Sequence, residues 1–157
     1  MKKRTAFIGA ILSLIPLGQP LLIKTGVVLS SSIVMLSLPE KVNAESAYSF
    51  HQSGINNYKN GDYFKAVYDF TKAIEIDPNY SEAYYNRGWN KAKLKDYYGA
   101  ISDYTKAIEI NPNYLSEYKN RGIDKEIIGD LKGACADWQK ASQLGDQDAA
   151  NWVRKQC

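Results

Sequence analysis

Thr71 to Tyr80 reads Thr-Lys-Ala-Ile-Glu-Ile-Asp-Pro-Asn-Tyr, and Thr105 to Tyr114 repeats it with one change, Asp77 to Asn111. Pro78 and Pro112 stand 34 residues apart, and self-similarity at a fixed period of that length is the signature of stacked helical hairpins. Setting these prolines at position 32 of a 34-residue frame divides the chain into repeats 47-80, 81-114 and 115-148. Other residues then fall into register. Gly54, Gly88 and Gly122 share position 8, Ala66, Ala100 and Ala134 share position 20, and Ala73, Ala107 and Ala141 share position 27. Small residues at recurring sites are what two closely packed helices need. Phe50, Tyr84 and Tyr118 recur at position 4, and Phe70, Tyr104 and Trp138 at position 24. Asp62, Asp96 and Asp130 share position 16, where a short acceptor can cap the second helix of a hairpin.

This register predicts an all-α chain. First helices are expected over about 47-60, 81-94 and 115-128, and second helices over about 63-76, 97-110 and 131-144. Turns fall at Asn60-Gly61-Asp62, Lys95-Asp96 and Gly129-Asp130, while Asp77-Pro78 and Asn111-Pro112 end the second helices, because proline excludes its predecessor from helical geometry. Each hairpin leaves an apolar face uncovered, so about three repeats are required for stability, and three are present. The third departs from the pattern, with Leu144-Gly145-Asp146 in place of the proline exit. A capping helix is expected over 147-157. Ala149, Ala150, Trp152 and Val153 give it an apolar side, and Arg154 and Lys155 suit its C-terminal dipole. Trp152 is expected to cover the open face of repeat three, with ligand binding as its alternative role.

The pattern resembles the tetratricopeptide repeat family, whose large residue, Gly, Ala, aromatic, Ala and Pro are matched at positions 4, 8, 20, 24, 27 and 32 over residues 47-148. The resemblance implies a right-handed α-solenoid of three hairpins plus a capping helix. It also implies a concave groove in which positions 2, 5, 6, 9, 12 and 13 of the first helices face a ligand. The peptide-binding set carried over is Tyr48, His51, Gln52 and Ile55 from repeat one, Tyr85, Asn86, Trp89 and Lys93 from repeat two, and Lys119, Asn120 and Ile123 from repeat three. Tyr58, Lys59, Glu82, Ala92, Ser116, Glu126 and Ile127 complete these positions. Tyr85 and Trp89 are four residues apart, hence on one helical face; they are either partner anchors or packing against a neighbouring first helix. His51 is expected at the groove edge or surface. Arg87 and Arg121 share position 7, where their stems would pack between helices and their guanidinium groups would pair with acids. Family members that grip a chaperone's C-terminal carboxylate use Lys, Asn and Arg at set positions. This chain resembles them only at Asn86, with His51, Ile55, Ser116 and Asn120 at the other four sites.

Residues 1-44 differ from the rest. Lys2, Lys3 and Arg4 precede an apolar run, Ala6 to Ile23, broken by Pro16, Gly18, Gln19 and Pro20; a second runs from Val27 to Leu38. Val42-Asn43-Ala44 fits a signal-peptidase site, which predicts a mature start at Glu45. The segment reads as a cleaved secretory signal or a retained membrane anchor. Either places the domain, residues 45-157, outside the cytoplasm. This leader holds five of the 20 basic and one of the 17 acidic residues, so the remainder carries a formal charge of about −1 despite the whole-chain value of +3. Without a basic surplus there is no electrostatic footprint for nucleic acid.

Cys135 and Cys157 are equidistant from the Gly145-Asp146 turn, so an antiparallel hairpin would bring them together, and an oxidising compartment would let them bond. The expectation is a structural disulfide; the alternative is a buried Cys135 and a free terminal thiol. A redox pair lacks the usual two-residue spacing. His51 is the only histidine and no Ser or Cys pattern singles it out, so catalysis is not expected. One His and two distant Cys make no zinc set, there is no calcium loop, and no Gly-rich phosphate cradle precedes a helix. No cofactor is expected.

The functional expectation is an exported scaffold, secreted to the periplasm or thylakoid lumen, that binds a helical or extended segment of another protein in its groove. The long leader and Asn-Arg-Gly repeats resemble those of small exported bacterial repeat proteins, cyanobacterial ones in particular. The alternatives are a membrane-anchored assembly factor for a membrane or photosynthetic complex, and a thiol-redox or catalytic protein using Cys135, Cys157 or His51.

Overall fold

Asp62, Asp96 and Asp130 each turn the chain into a new helix by the same bond. Their carboxylates accept from the backbone N–H three residues on, at Lys65, Gly99 and Gly133, over 3.2, 3.0 and 2.9 Å. The structure, a computed structural model, describes residues 46–157. The expected leader, its cleavage after Ala44 and the choice between signal and anchor lie outside the described residues. Among the described residues no helix is long and apolar enough to cross a membrane.

Among the described residues seven helices follow one another: α1 (46–59), α2 (Tyr63–Ile76), α3 (Ser81–Lys93), α4 (Tyr97–Ile110), α5 (Leu115–Ile127), α6 (Leu131–Gln143) and α7 (Gln147–Gln156). The fold is an all-α helical-repeat solenoid in which each helix from α2 onward packs on the next in sequence, and α1 meets α2 where Gly54 faces the Phe70 ring. Helix boundaries lie within about one residue of those the register predicts, because caps and prolines act locally.

Each first helix ends in the same turn. A residue at positive φ (Gly61 78°, Lys95 65°, Gly129 88°) lets the next N–H bond back to the carbonyl five residues earlier, as Asp62 does to Asn57 at 2.9 Å. The departure at 144–146 has a physical reading here. Gly145 (φ 106°) and Asp146 copy that turn, and Asp146 caps α7 through Ala149 N–H at 2.7 Å. The α6–α7 connection is therefore a hairpin turn, whereas Asp77-Pro78 and Asn111-Pro112 make the connection between repeats.

The core lies between paired helices. Phe70, Tyr104 and Trp138 are essentially buried, as are the six register alanines. The glycines at position 8 admit those rings: a Cβ on Gly54 would lie 2.7 Å from the Phe70 ring, and one on Gly88 3.0 Å from Tyr104. Of the position-4 residues, Tyr118 is buried, but Phe50 is 36% exposed because no preceding repeat packs over it among the described residues. Trp152 sits 5.3 Å from Trp138, ring to ring, and with Val153 and the buried Ala149 closes repeat three.

Polar stitches cross the repeats. Arg87 donates two bonds to Asp103 (2.9 and 2.6 Å) and one to Thr71 of the preceding repeat (3.2 Å), and Lys91 adds a 2.8 Å ion pair to Asp103. One period later Arg121, Asp137, Thr105 and Lys125 repeat the arrangement. The arginines at position 7 thus hold helices together, as their register position suggested. In repeat one the equivalent Asp69 is satisfied by Ser53 (2.6 Å) and Asn57 (2.7 Å).

Cys135 on α6 and Cys157 after α7 are paired as a disulfide in the structure, their Cα atoms 5.8 Å apart.

Candidate functional site

The first helices α1, α3 and α5 carry the residues expected to face a ligand, and the structure sorts them into two groups. One group is already bonded across the repeats. The Asn86 amide meets His51 Nε2 at 2.9 Å, and the Asn120 amide donates to the Tyr85 hydroxyl at 3.0 Å. Both bonds join position 6 of one repeat to position 5 of the repeat before it. Lys119, at position 5 of repeat three, bonds to Asp146 (3.1 Å) and Asp148 (2.8 Å) at the start of α7. Position 5 is therefore a seam between neighbours.

His51 is accordingly not at the groove edge. It is 7% exposed, between the rings of Tyr80 (4.8 Å) and Phe70 (5.5 Å). Burial lowers its pKa below the ordinary 6.5, against a smaller opposing effect of Glu82. Burial likewise raises the Tyr85 hydroxyl.

The second group remains available. Tyr48 is 58% exposed, Lys93 is exposed, and Gln52, Ile55, Trp89 and Ile123 are half-buried. Trp89 is the centre of this surface, because it contributes to the walls of two recesses. The smaller, about 220 Å³, is also lined by Ile55, Tyr58, Tyr85, Asn86 and Asn90 over Phe70. The larger, about 430 Å³, runs from Ala92, Lys93 and Tyr97 to Asn120, Ile123, Asp124 and Ile127. The Lys93 ammonium lies 4.6 Å from the Trp89 ring centre, within reach of a cation–π attraction.

Two buried acids lie on α5, seven residues apart and so on one face of the helix. Glu117 is 4% exposed, its Oε2 has no hydrogen-bond partner, and burial pushes its carboxyl up to about 7. Asp124, equally buried and with an unpartnered Oδ2, is pushed to about 6 by burial alone. The sequence reading missed Asp124 and Tyr97 as lining residues. The available signal was register: Asp124 holds position 10, where repeats one and two have Asn56 and Asn90.

A further recess, of about 530 Å³, lies beside Cys135 and Cys157 and shares no lining residue with the groove recesses. Among the described residues, no three His, Cys, Asp or Glu side chains are grouped to hold a metal ion.

A solenoid of helical hairpins with an aromatic-lined groove on its first helices defines a class, the helical-repeat scaffolds. Within that class the tetratricopeptide-repeat family is supported by two family models, the tetratricopeptide repeat over residues 81–114 and the TPR repeat over residues 57–89. Solved structures agree. The chain is similar to the first TPR of Spaghetti (RPAP3), bound to the HSP90 peptide SRMEEVD: 27% identity, TM-score 0.68, covering 71% of this chain and 90% of that one. It is similar to the Arabidopsis OM64 TPR domain, with 28% identity and TM-score 0.69 over 73% of this chain and 99% of that one. The second TPR domain of human RPAP3, in complex with the HSP70 peptide SGPTIEEVD, matches at 25% identity and TM-score 0.66, over 74% and 96% of the two chains. No curated protein matches in the sequence search.

Proposed function

We propose that this chain is a non-enzymatic scaffold that works outside the cytoplasm and binds a segment of another protein in the groove formed by α1, α3 and α5. The observation that carries this reading is Trp89. A large aromatic side chain, half-buried between two recesses and left free by the seam bonds, is the kind of anchor that dominates binding energy at protein interfaces. The similar structures that hold peptides support a segment as the ligand.

The segment differs in chemistry from those chaperone tails. At the positions the family uses to grip a terminal carboxylate, this chain offers His51, Ile55, Ser116 and Asn120 beside Asn86, and His51, Asn86 and Asn120 are spent on the seams. No lysine or arginine stands at any of the five. The extracytoplasmic address rests on the leader sequence, and an exported bacterial protein of cyanobacterial type fits that leader.

Crosslinking and capture from the native extracytoplasmic fraction tests the reading, with the full chain compared with the Trp89→Ala, Ile123→Ala variant after equal helicity is confirmed. Both substitutions spare the seam bonds. Partners captured by the parent and lost by the variant support the groove; equal capture by both refutes it. Sequencing the natural N-terminus decides the address: a start at Glu45 identifies an exported scaffold, and a retained leader identifies a membrane-anchored assembly factor.

A further inference from the structure

The larger groove recess combines apolar walls with one unsatisfied acid. Trp89, Ile123 and Ile127 form the walls, and Asp124, 4% exposed, contributes the carboxyl whose Oδ2 meets no donor. A buried carboxyl without a partner opposes folding. Nor does the fold require one there. In repeat two the same register position is Asn90, a neutral amide buried equally well, whose Nδ2 donates to the Asn86 carbonyl at 2.8 Å while its Oδ1, like Asp124 Oδ2, meets no donor. Neighbouring cations do not supply the missing partner: Lys119 is held by Asp146 and Asp148, Lys125 by Asp137, and Lys93 rests over the Trp89 ring.

We infer that this recess receives a lysine or arginine side chain of the bound segment, with its alkyl stem against Trp89, Ile123 and Ile127 and its charge on Asp124 Oδ2. The inference rests on the groove reading and adds to it the chemistry of the residue bound. Long basic side chains have an apolar stem and a charged tip in the order that these walls and this acid present. The resulting bond is charge-assisted, the stronger kind. A neutral apolar side chain would fill the space but leave Oδ2 unpaired, and an acidic one would place like charges together. Lys93 over Trp89 shows that the indole face already accepts a cation, and its exposed ammonium is free to withdraw into water.

A phage-displayed library of random peptides, panned against the full chain, provides the probe, and synthetic copies of the selected peptides provide affinities by fluorescence anisotropy. The expected peptides lose binding to the Trp89→Ala variant and contain one lysine or arginine whose replacement by norleucine weakens binding about tenfold or more. Asp124→Asn should bind the basic peptide and its norleucine version within about twofold of one another. That variant places in repeat three the side chain that Asn90 carries in repeat two, so it keeps the fold, which a melting curve verifies. Peptides that need Trp89 but ignore the norleucine replacement overturn the inference and leave the groove reading standing. Basic-residue dependence that survives Asp124→Asn and disappears in Glu126→Gln also overturns it, by moving recognition to the rim. Selected peptides that all ignore Trp89→Ala overturn both readings.

Discussion

Replacing Glu117 with Gln should stabilise the protein at pH 8 and leave it nearly unchanged at pH 4. The carboxyl has an ordinary value of 4.5 and is raised to about 7 in the fold, first by burial and to a smaller degree by the Glu82 charge, against one backbone hydrogen bond. Between those values the folded chain holds a proton that the unfolded chain has released. Stability is therefore fully present below pH 4.5, falls as pH rises through the window, and levels off above about 7. A separation of about 2.5 pH units at 1.36 kcal/mol each makes the loss about 3 kcal/mol. Glutamine mimics the neutral acid and carries no such dependence. Asp124, raised to about 6 from 3.8 by burial, adds a second loss of the same sign at lower pH. His51 works the other way: its pKa is lowered, so its contribution is present above 6.5 and is lost as pH falls. Urea unfolding of parent and variant at pH 4, 5, 6, 7 and 8 without reductant cancels the Asp124 and His51 terms in the difference. A variant-minus-parent gain that grows by about 3 kcal/mol across the window supports the reasoning. A constant difference would refute it, showing that Glu117 ionises at its ordinary value.

Lys95 holds the left-handed turn position (φ 65°) that Gly61 and Gly129 occupy in the other repeats, so Lys95→Gly should raise stability by about 1 kcal/mol, read as a higher urea midpoint with an unchanged slope. Reducing the Cys135–Cys157 bond should cost about 2–4 kcal/mol and speed amide exchange in α7 before the rest of the chain. Non-reducing mass spectrometry of the natural protein establishes whether the bond forms there, and an unchanged melting curve with reductant would contradict a structural role.

The architecture was legible because it is written in short-range signals. The Asp62, Asp96 and Asp130 caps, the Pro78 and Pro112 exits and the pairing of Gly54 with Phe70 each involve residues within one hairpin, and repetition at 34 residues multiplies their weight. The exit at Leu144-Gly145-Asp146 looked like a defect until its turn proved to copy those at Gly61 and Gly129. The same dipeptide logic, Gly then Asp, was present in the sequence at both places.

The composition of the site was less legible. The family register nominates position 5 and position 6 side chains as ligand contacts, but register fixes only the helical face, not what a side chain meets there. His51, Tyr85, Asn86, Lys119 and Asn120 are bonded to residues 27 to 35 positions away, and only stacking of the repeats brings those partners within reach. The burial of Glu117 and Asp124 is likewise a product of packing, since an acid in an isolated helix would stay in water at its ordinary pKa. The sequence by itself determined the period, the caps and the pairing of glycine with aromatic, because these are local and periodic. The tertiary structure alone decided which groove residues remain free and which acid is left without a partner, because desolvation and long-range hydrogen bonds exist only once the hairpins have stacked.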